Sequence, residues 1–184
     1  LMFGLDFGYE DDASIVAVLC DKTNKVLYEL DSWHAPHKAT SEIAAELRKM
    51  VDKWSETYKT SKPYMVITDT NAKSDSMDLV ITYKFKNVCL AYKYNKAQAL
   101  KQLAQYMTLG NVIIKANDYL DDEADNMIWK RDPETDVIIE ELDEDAYHAN
   151  GMMALLYISR QFSYEVMGLV DTNKEAKGII EEFK

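Results

Sequence analysis

The order of apolar runs along the chain predicts an α/β domain in which helices flank a mixed sheet, with three antiparallel strands first and parallel strands after them. Three observations carry this prediction. A short apolar run that contains an aspartate opens the chain, two more strand-like runs follow through tight polar turns, and an amphipathic helix then leads into a second apolar run that ends in aspartate. Tight turns join antiparallel strands, whereas a strand–helix–strand crossover makes the new strand parallel to an earlier one.

Length and composition limit what the chain can be. Its 184 residues, 47% of them hydrophobic, are enough to fill one core, so we predict a single domain over 1–184. No run of about eighteen apolar residues occurs, and no membrane partner is expected. The net charge of -11 argues against nucleic-acid binding through a simple basic patch, but metal ions can offset clustered carboxylates, so a nuclease is not excluded. Because Leu1 enters a strand at once, we expect a fragment of a longer protein.

The opening strand carries a carboxylate within an apolar run. Period-2 alternation places Asp6 on one face of the strand together with Met2 and Gly4. A buried carboxylate is costly unless a partner offsets its charge. The run 64–69 repeats the design and ends in Asp69. If the two strands are parallel neighbours, Asp6 and Asp69 meet at one edge of the sheet, where two carboxylates suit Mg²⁺ or Mn²⁺ because hard cations prefer oxygen ligands.

The stretch after the opening strand predicts an antiparallel meander. Asp11 and Asp12 are interpreted as turn residues, with a supporting role near the metal as the alternative. Residues 13–20 and 26–30 are predicted as the second and third strands, joined by a polar turn. We predict a connector at 33–37; its two histidines have no cysteine or third histidine nearby, so zinc is not expected there.

A crossover helix and a polar loop flank the second aspartate. Thr40 or Ser41 is predicted to cap the helix, whose apolar stripe packs on the core. After Asp69 the loop contains Asp75 and Asp78, which are alternative metal ligands, although a loop and a helix start explain them more simply.

A fifth strand is predicted over 88–92, and basic and aromatic residues surround it. In an acidic chain this is the patch that could follow a phosphate backbone, and a solvated surface is the alternative. The candidate DNA-binding residues are Lys84, Lys86, Lys93 and Lys96.

The second half predicts further helices and short strands. Asn95 is predicted to cap a helix that ends near Gly110, with a short strand after it. Residues 117–130 are predicted as a helix whose acidic run is a solvated face, and 137–139 as an edge strand. A terminal helix is predicted over the last twenty residues, where Ala176, Ile179, Ile180 and Phe183 are in helical register.

A helix is also predicted over 146–162. Asn150, Ala154 and Tyr157 share one of its faces by spacing, and that face is packed. Asn150 therefore lies near the start of the helix, where its side chain can reach the edge of the sheet.

This order of elements is that of the ribonuclease H-like fold. More narrowly, residues 1–162 resemble the C-terminal nuclease domain of the large terminase subunit of tailed phages. The resemblance is carried by the first two strands, by the strand that ends in the second aspartate, and by the approach to the long helix; the matching stretches are 4–8, 12–15, 66–69, 148–150 and 154–157.

The resemblance implies a metal-dependent endonuclease that cuts concatemeric DNA with two divalent ions, Mg²⁺ or Mn²⁺. By position, Asp6 is the central ligand and Asp69 the second. One ion activates a water and the other stabilises the leaving 3′ oxygen. The family's last acid begins the final helix, where this chain has Asn150. An amide matches a carboxylate in shape but lacks the charge that offsets a second metal ion.

Three explanations for Asn150 stay open: an engineered inactivating change, a natural loss, or a shifted alignment. In the last case Asp145 and His148, three apart on one helix face, are the substitute ligands. The predicted catalytic set is therefore Asp6, Asp69 and Asn150, with Asp145 and His148 as further candidates for the metal.

The resemblance also implies partners: double-stranded DNA, the ATPase domain of the same protein, and the small terminase subunit and portal, in the host cytoplasm. No G-x-x-x-x-G-K-[ST] loop occurs, so this chain alone is not expected to hydrolyse ATP. Two other classes remain. One is a catalytically silent nucleic-acid-binding or assembly module, which Asn150 favours. The other is a different member of the fold, such as a junction resolvase or an actin-like nucleotide-binding domain, although glycine-rich phosphate loops are missing.

Overall fold

The strands and helices follow the predicted order. A computed structural model describes residues 1–8, 12–59, 64–91, 95–143 and 146–163, so Lys93, Asp145 and the predicted terminal helix over the last twenty residues lie outside the described residues. The strands are β1 (Met2–Asp6), β2 (Asp12–Asp21), β3 (Val26–Pro36), β4 (Met65–Thr68), β5 (Val88–Leu90), β6 (Val112–Ile113), β7 (Trp129–Arg131) and β8 (Ile138–Leu142). The helices are α1 (Thr40–Tyr58), α2 (Lys73–Ile81), α3 (Lys96–Thr108), α4 (Tyr119–Asn126) and α5 (Asn150–Phe162), and a 3₁₀ turn covers Thr70–Ala72.

Six of the described strands form one mixed sheet in the order β5–β4–β1–β2–β3–β6. Strands β1, β2 and β3 are an antiparallel meander, and β4 lies parallel to β1 on its other side. Strand β5 continues the parallel part beside β4, and β6 is parallel to β3 at the opposite edge. This topology confirms the predicted mixed sheet and puts the ends of β1 and β4 side by side.

Helices cover both faces of the sheet because each strand alternates its apolar side chains between them. Met2 and Val16 belong to a core that includes residues of α3, α4 and α5. Phe3 and Ile15 belong to a second core, formed with α1 and α2. Asp6 shares the face of Met2, as the alternation predicts, so its side chain lies on the side of α5.

Helix α5 lies very close to β1. At Gly4, an added Cβ atom would overlap the main-chain oxygen of Ala154 and would lie 2.8 Å from its carbonyl carbon. Glycine leaves room for this approach because it has no side chain. The helix is buried without interruption from Gly151 to Ser159. Even so, neither α5 nor any other helix within the described ranges is long and apolar enough to cross a membrane.

Strand β3 is longer than predicted. The connector expected at 33–37 is wrong, because β3 continues through Pro36. Strand β2, which begins at Asp12, pairs with β3 along its whole length. The polar composition of this segment favours a loop, but pairing with β2 satisfies its main-chain N–H and C=O groups and therefore favours a strand. As a consequence, His34 lies opposite Ser14 in the sheet.

The start of α1 also differs from the prediction. Thr40 and Ser41 lie inside the helix, and Ala39 is the N-cap residue. Alanine has no side-chain oxygen and cannot accept a main-chain N–H of the first turn. The capping contact comes instead from Glu42, whose carboxylate accepts the Ala39 main-chain N–H at 3.1 Å. The Thr40 hydroxyl instead donates to Asp75 on α2, which gives that candidate ligand a structural contact.

The predicted helix over 117–130 is too long. Helix α4 ends at Asn126, and the chain then forms β7, which pairs antiparallel with β8. The predicted edge strand at 137–139 falls largely within β8. Aromatic and β-branched residues in this stretch favour cross-strand pairing over a continued helix.

Candidate active site

Asp6 and Asp69 lie together at one edge of the sheet. Asp6 is the last residue of β1, and Asp69 directly follows β4. The two strands are parallel neighbours in which Leu5 pairs with Thr68, so the aspartates occupy adjacent positions one residue further on. Both side chains are partly buried. The structure therefore brings together the two carboxylates that the sequence places at this edge, and we call them the acid pair.

The Tyr157 hydroxyl on α5 contacts both members of the acid pair. It lies 3.3 Å from Asp69 Oδ2 and 3.5 Å from Asp6 Oδ2, with the hydroxyl as donor. The tyrosine is 6% exposed. Burial, together with the negative charges of Asp6 and Asp69, raises the pKa of Tyr157 above its usual value. The phenol therefore keeps its proton at neutral pH and remains a hydrogen-bond donor.

A second donor holds Asp69. Its Oδ1 accepts the main-chain N–H of Asn71 at 2.6 Å, as the N-cap of the 3₁₀ turn. Because Tyr157 lies at Oδ2, both oxygens of Asp69 have a hydrogen-bond donor. Contacts of this kind fix the orientation of carboxylates that bind metals.

The chemistry of the acid pair fits a hard divalent cation. Two carboxylates from adjacent strands converge on one neutral hydroxyl, and Mg²⁺ and Mn²⁺ prefer carboxylate oxygens as ligands. Within the described ranges, no group of three or more histidine, cysteine, aspartate or glutamate side chains is placed to hold a metal ion. The acid pair thus supplies two acidic ligands, and the described residues supply no third.

Asn150, the first residue of α5, lies against β2. Its side-chain amide donates to the main-chain oxygen of Asp12 at 2.7 Å. Two helical turns, about 10 Å along the axis, separate it from Tyr157 at the acid pair. Between them on the same side of the helix is Met153, which is buried in the core. Asn150 is therefore at the edge of the sheet, as predicted, but its amide nitrogen is directed to β2.

A buried carboxylate caps the start of α5. Glu123 on α4 accepts the main-chain N–H groups of Gly151 at 3.2 Å and Met152 at 2.6 Å. Glu123 is 1% exposed, so the prediction that the acidic run of α4 is a solvated face is wrong at this residue. The N-terminal N–H groups of a helix have no partner within the helix, and a carboxylate there is favourable for both its hydrogen bonds and its charge.

This cap explains why α5 begins later than predicted. The helix expected over 146–162 starts at Asn150, and His148 is exposed in the preceding loop. The expectation that Asp145 and His148 share a helix face is therefore wrong for His148, and Asp145 lies outside the described residues. His148 helps to line a shallow cleft together with Met127, Leu142 and Met153.

Polar side chains on the same face connect α4 with β2 and β3. The Tyr119 hydroxyl is 2.8 Å from Ser14 Oγ, and its ring stacks on His34 with 3.9 Å between centroids. His34 Nδ1 is in turn 2.8 Å from Asp12 Oδ2. Because Ser14 lies opposite Asp6 in the sheet, these groups adjoin the acid pair.

Solved structures share this fold. The nuclease domain of the bacteriophage SPP1 large terminase (g2p) with bound Mn matches with a TM-score of 0.67 and 21% identity, over 86% of this chain and 84% of that one. The large terminase nuclease of thermophilic phage G20c with bound magnesium matches with a TM-score of 0.60 and 20% identity, over 87% and 80%. No protein-family model and no curated protein matches the sequence.

The chain has the fold of large terminase nuclease domains. This confirms the predicted ribonuclease H-like architecture and the predicted resemblance at the level of the fold. The large terminase of thermophilic bacteriophage D6E, in complex with ADP, matches with a TM-score of 0.67 and 16% identity. This chain spans 38% of the D6E protein.

In this terminase nuclease fold, the described candidate DNA-binding lysines lie before and after β5 in the chain. Lys84 and Lys86 precede the strand, whereas Lys96 follows it and begins α3. Since β5 runs parallel to β4, its C-terminal end is the one beside Asp69. Exposed Lys96 therefore follows the end of β5 nearest the acid pair, and exposed Lys84 and Lys86 precede the opposite end. Lys93 lies outside the described residues.

The buried cap makes stability depend on pH. Burial raises the pKa of Glu123 above its usual value, against the opposing effect of its hydrogen-bond donors. A carboxyl group with a raised pKa in the fold stabilises the fold while it is protonated, and that contribution is lost as the pH rises from about 4.5 through the raised value. Glutamine does not titrate, so Glu123→Gln does not lose this contribution. We therefore expect its free energy of unfolding to increase relative to that of the unaltered chain as the pH rises through this range. Urea unfolding at about pH 4.5 and about pH 7.5 measures the difference.

A stability difference that is the same at both pH values would contradict this prediction. Glu123→Ala is the contrasting variant, because it leaves the N–H groups of Gly151 and Met152 without their acceptor. It should lose about 1–3 kcal/mol in the free energy of unfolding at both pH values.

Proposed function

We propose that this chain is a divalent-metal-dependent DNA endonuclease domain of a viral DNA-packaging terminase. The observation that carries the proposal is the convergence of Asp6 and Asp69 on the Tyr157 hydroxyl at the edge of the sheet. The fold shared with the SPP1 and G20c nuclease domains, which were solved with Mn and magnesium, supports it.

In this proposal Asp6 and Asp69 would hold the metal ions, with Asp6 as the central ligand and Asp69 as the second. Asn150, Asp145 or His148 would complete the coordination. When bound, such ions lower the pKa of a water nucleophile and stabilise the charge on the leaving 3′ oxygen. The chain's own residues bind and orient: the two carboxylates offer their oxygens, and Tyr157 and the Asn71 N–H hold them in place.

The proposed substrate is double-stranded DNA, in the form of a concatemeric genome. Lys96, which follows β5 in the chain, and Lys84, Lys86 and Lys93 are proposed contacts to its phosphates. The other proposed partners are an ATPase domain of the same protein, the small terminase subunit and the portal, in the host cytoplasm. The fold shared with part of the D6E large terminase, solved with ADP, supports an ATPase partner.

A second candidate function is a catalytically silent nucleic-acid-binding or assembly module. Asn150 favours it, because an amide brings no charge to a metal ion, and its nitrogen already donates to Asp12.

Cleavage of supercoiled plasmid in Mn²⁺ tests these two functions. We expect Asn150→Asp to cut at least ~10-fold faster than the unaltered chain, because it restores a charged ligand, and we expect a chelator to abolish cutting. Asn24→Asp is the matched control, since Asn24 is exposed in the turn between β2 and β3, at the far end of β2 from Asp12. It should not change the rate.

The outcomes separate the alternatives. Equal, strong cutting by the unaltered chain and Asn150→Asp would move the third ligand to Asp145 or His148. Mn²⁺ binding without cutting by either protein would favour the silent module. If no Mn²⁺ binds at all, the proposed nuclease function fails.

A further inference from the structure

The Tyr157 hydroxyl joins the two carboxylates of the acid pair into one unit. It lies within 3.5 Å of an oxygen of each. A phenol carries a single proton, so at any moment it donates to one carboxylate only. The same two carboxylates would be the ligands of a bound divalent cation, so the hydroxyl lies where it contacts both of them.

Packing, rather than the carboxylates, determines where this hydroxyl lies. Tyr157 is 6% exposed in the middle of a buried helix. Glu123 holds the N-terminal end of that helix through two main-chain hydrogen bonds, and the contact between Gly4 and Ala154 fixes its distance from β1. A donor held in this way can impose an orientation on the carboxylates that contact it.

We infer that Tyr157 is a positioning residue, whose hydroxyl holds Asp6 and Asp69 in the orientation that binds a divalent cation. The inference rests on the proposed function, because it requires the acid pair to bind a metal ion. The hydroxyl acts on the ligands and does not itself contact the substrate. Contacts to metal-binding side chains of this kind typically change metal affinity by about 10- to 100-fold.

Tyr157→Phe tests the inference, because it removes the hydroxyl oxygen and keeps the buried ring. We expect the affinity of the full chain for Mn²⁺ without DNA, measured by isothermal titration calorimetry, to fall about 10- to 100-fold. In the Asn150→Asp background, plasmid cleavage by Tyr157→Phe should recover when the Mn²⁺ concentration is raised by the same factor. Recovery is expected because the hydroxyl orients the ligands and takes no part in substrate binding.

Tyr106→Phe is the matched control. Tyr106 on α3 is 8% exposed, and its hydroxyl accepts hydrogen bonds from Gln102 at 2.8 Å and Ser163 at 3.2 Å. The variant therefore loses a buried hydroxyl of the same kind without touching the acid pair. Its Mn²⁺ affinity should equal that of the unaltered chain.

The failure of the inference and the failure of the proposed function give different results. If Asp6→Asn abolishes Mn²⁺ binding while Tyr157→Phe binds as tightly as the unaltered chain or more tightly, the inference is overturned and the proposed function stands. An equal loss of affinity in Tyr157→Phe and Tyr106→Phe also overturns the inference. If the unaltered chain binds no Mn²⁺, the proposed function is overturned, and the inference with it.

Discussion

Asp6→Asn is expected to abolish Mn²⁺ binding and to reduce plasmid cleavage by about 1000-fold or more. The change keeps the shape of the side chain and removes the charge of its carboxylate. Asp6 ends β1, the strand that lies between β4 and β2 in the sheet. Bound metal ions supply several kcal/mol of transition-state stabilisation, and each 1.36 kcal/mol corresponds to about tenfold in rate. Calorimetry measures the affinity, and cleavage is measured in the unaltered chain and in the Asn150→Asp background.

The control for Asp6→Asn is Asp78→Asn. Asp78 is an exposed carboxylate on α2 that the sequence leaves open as an alternative ligand. It should retain both Mn²⁺ affinity and cleavage. Loss of binding in Asp78→Asn, or retention of binding in Asp6→Asn, would place the metal somewhere other than the acid pair.

Gly4→Ala is expected to lower the free energy of unfolding by about 3 kcal/mol or more. The added methyl group would overlap the main-chain oxygen of Ala154 and lie 3.1 Å from Ile158 Cδ1. A main-chain atom in the middle of a buried helix cannot move aside as a flexible side chain can, so α5 has to shift away from β1. Because α5 carries Tyr157, the variant should also weaken Mn²⁺ binding. Urea unfolding measures the stability.

Gly110→Ala is the control for Gly4→Ala. Gly110 has φ +75°, and an added Cβ there meets nothing within 4 Å. The free energy of unfolding of this variant should therefore fall only by the cost of placing alanine in a left-handed conformation, about 1 kcal/mol. If Gly4→Ala is no less stable than Gly110→Ala, β1 and α5 are not packed as closely as described.

The position of the acid pair could be predicted from the sequence because it depends on topology alone. A crossover helix makes β4 parallel to β1, and equivalent ends of parallel neighbours meet at one edge. Asp6 and Asp69 need nothing else to come together. The role of Tyr157 depends on more: its helical spacing predicts a packed face, but only the distance between α5 and β1 decides that its hydroxyl reaches both carboxylates.

Other features could not be predicted because tertiary contacts override local patterns. Glu123 lies in a run of acidic residues, and nothing in that run distinguishes the one that turns inward to cap α5. The same cap decides that α5 begins at Asn150, which removes His148 from the helix. The segment containing His34 has a loop-like composition and becomes strand because β2 offers it a partner throughout.

Crystals of the full chain soaked in Mn²⁺, with anomalous difference density recorded near the manganese absorption edge, test the central claim most directly. We expect a peak between the carboxylates of Asp6 and Asp69, close to the Tyr157 hydroxyl, and no such peak in Asp6→Asn. A peak found only elsewhere, for example between Asp12 and His34, or no peak in the soaked crystals, would contradict it.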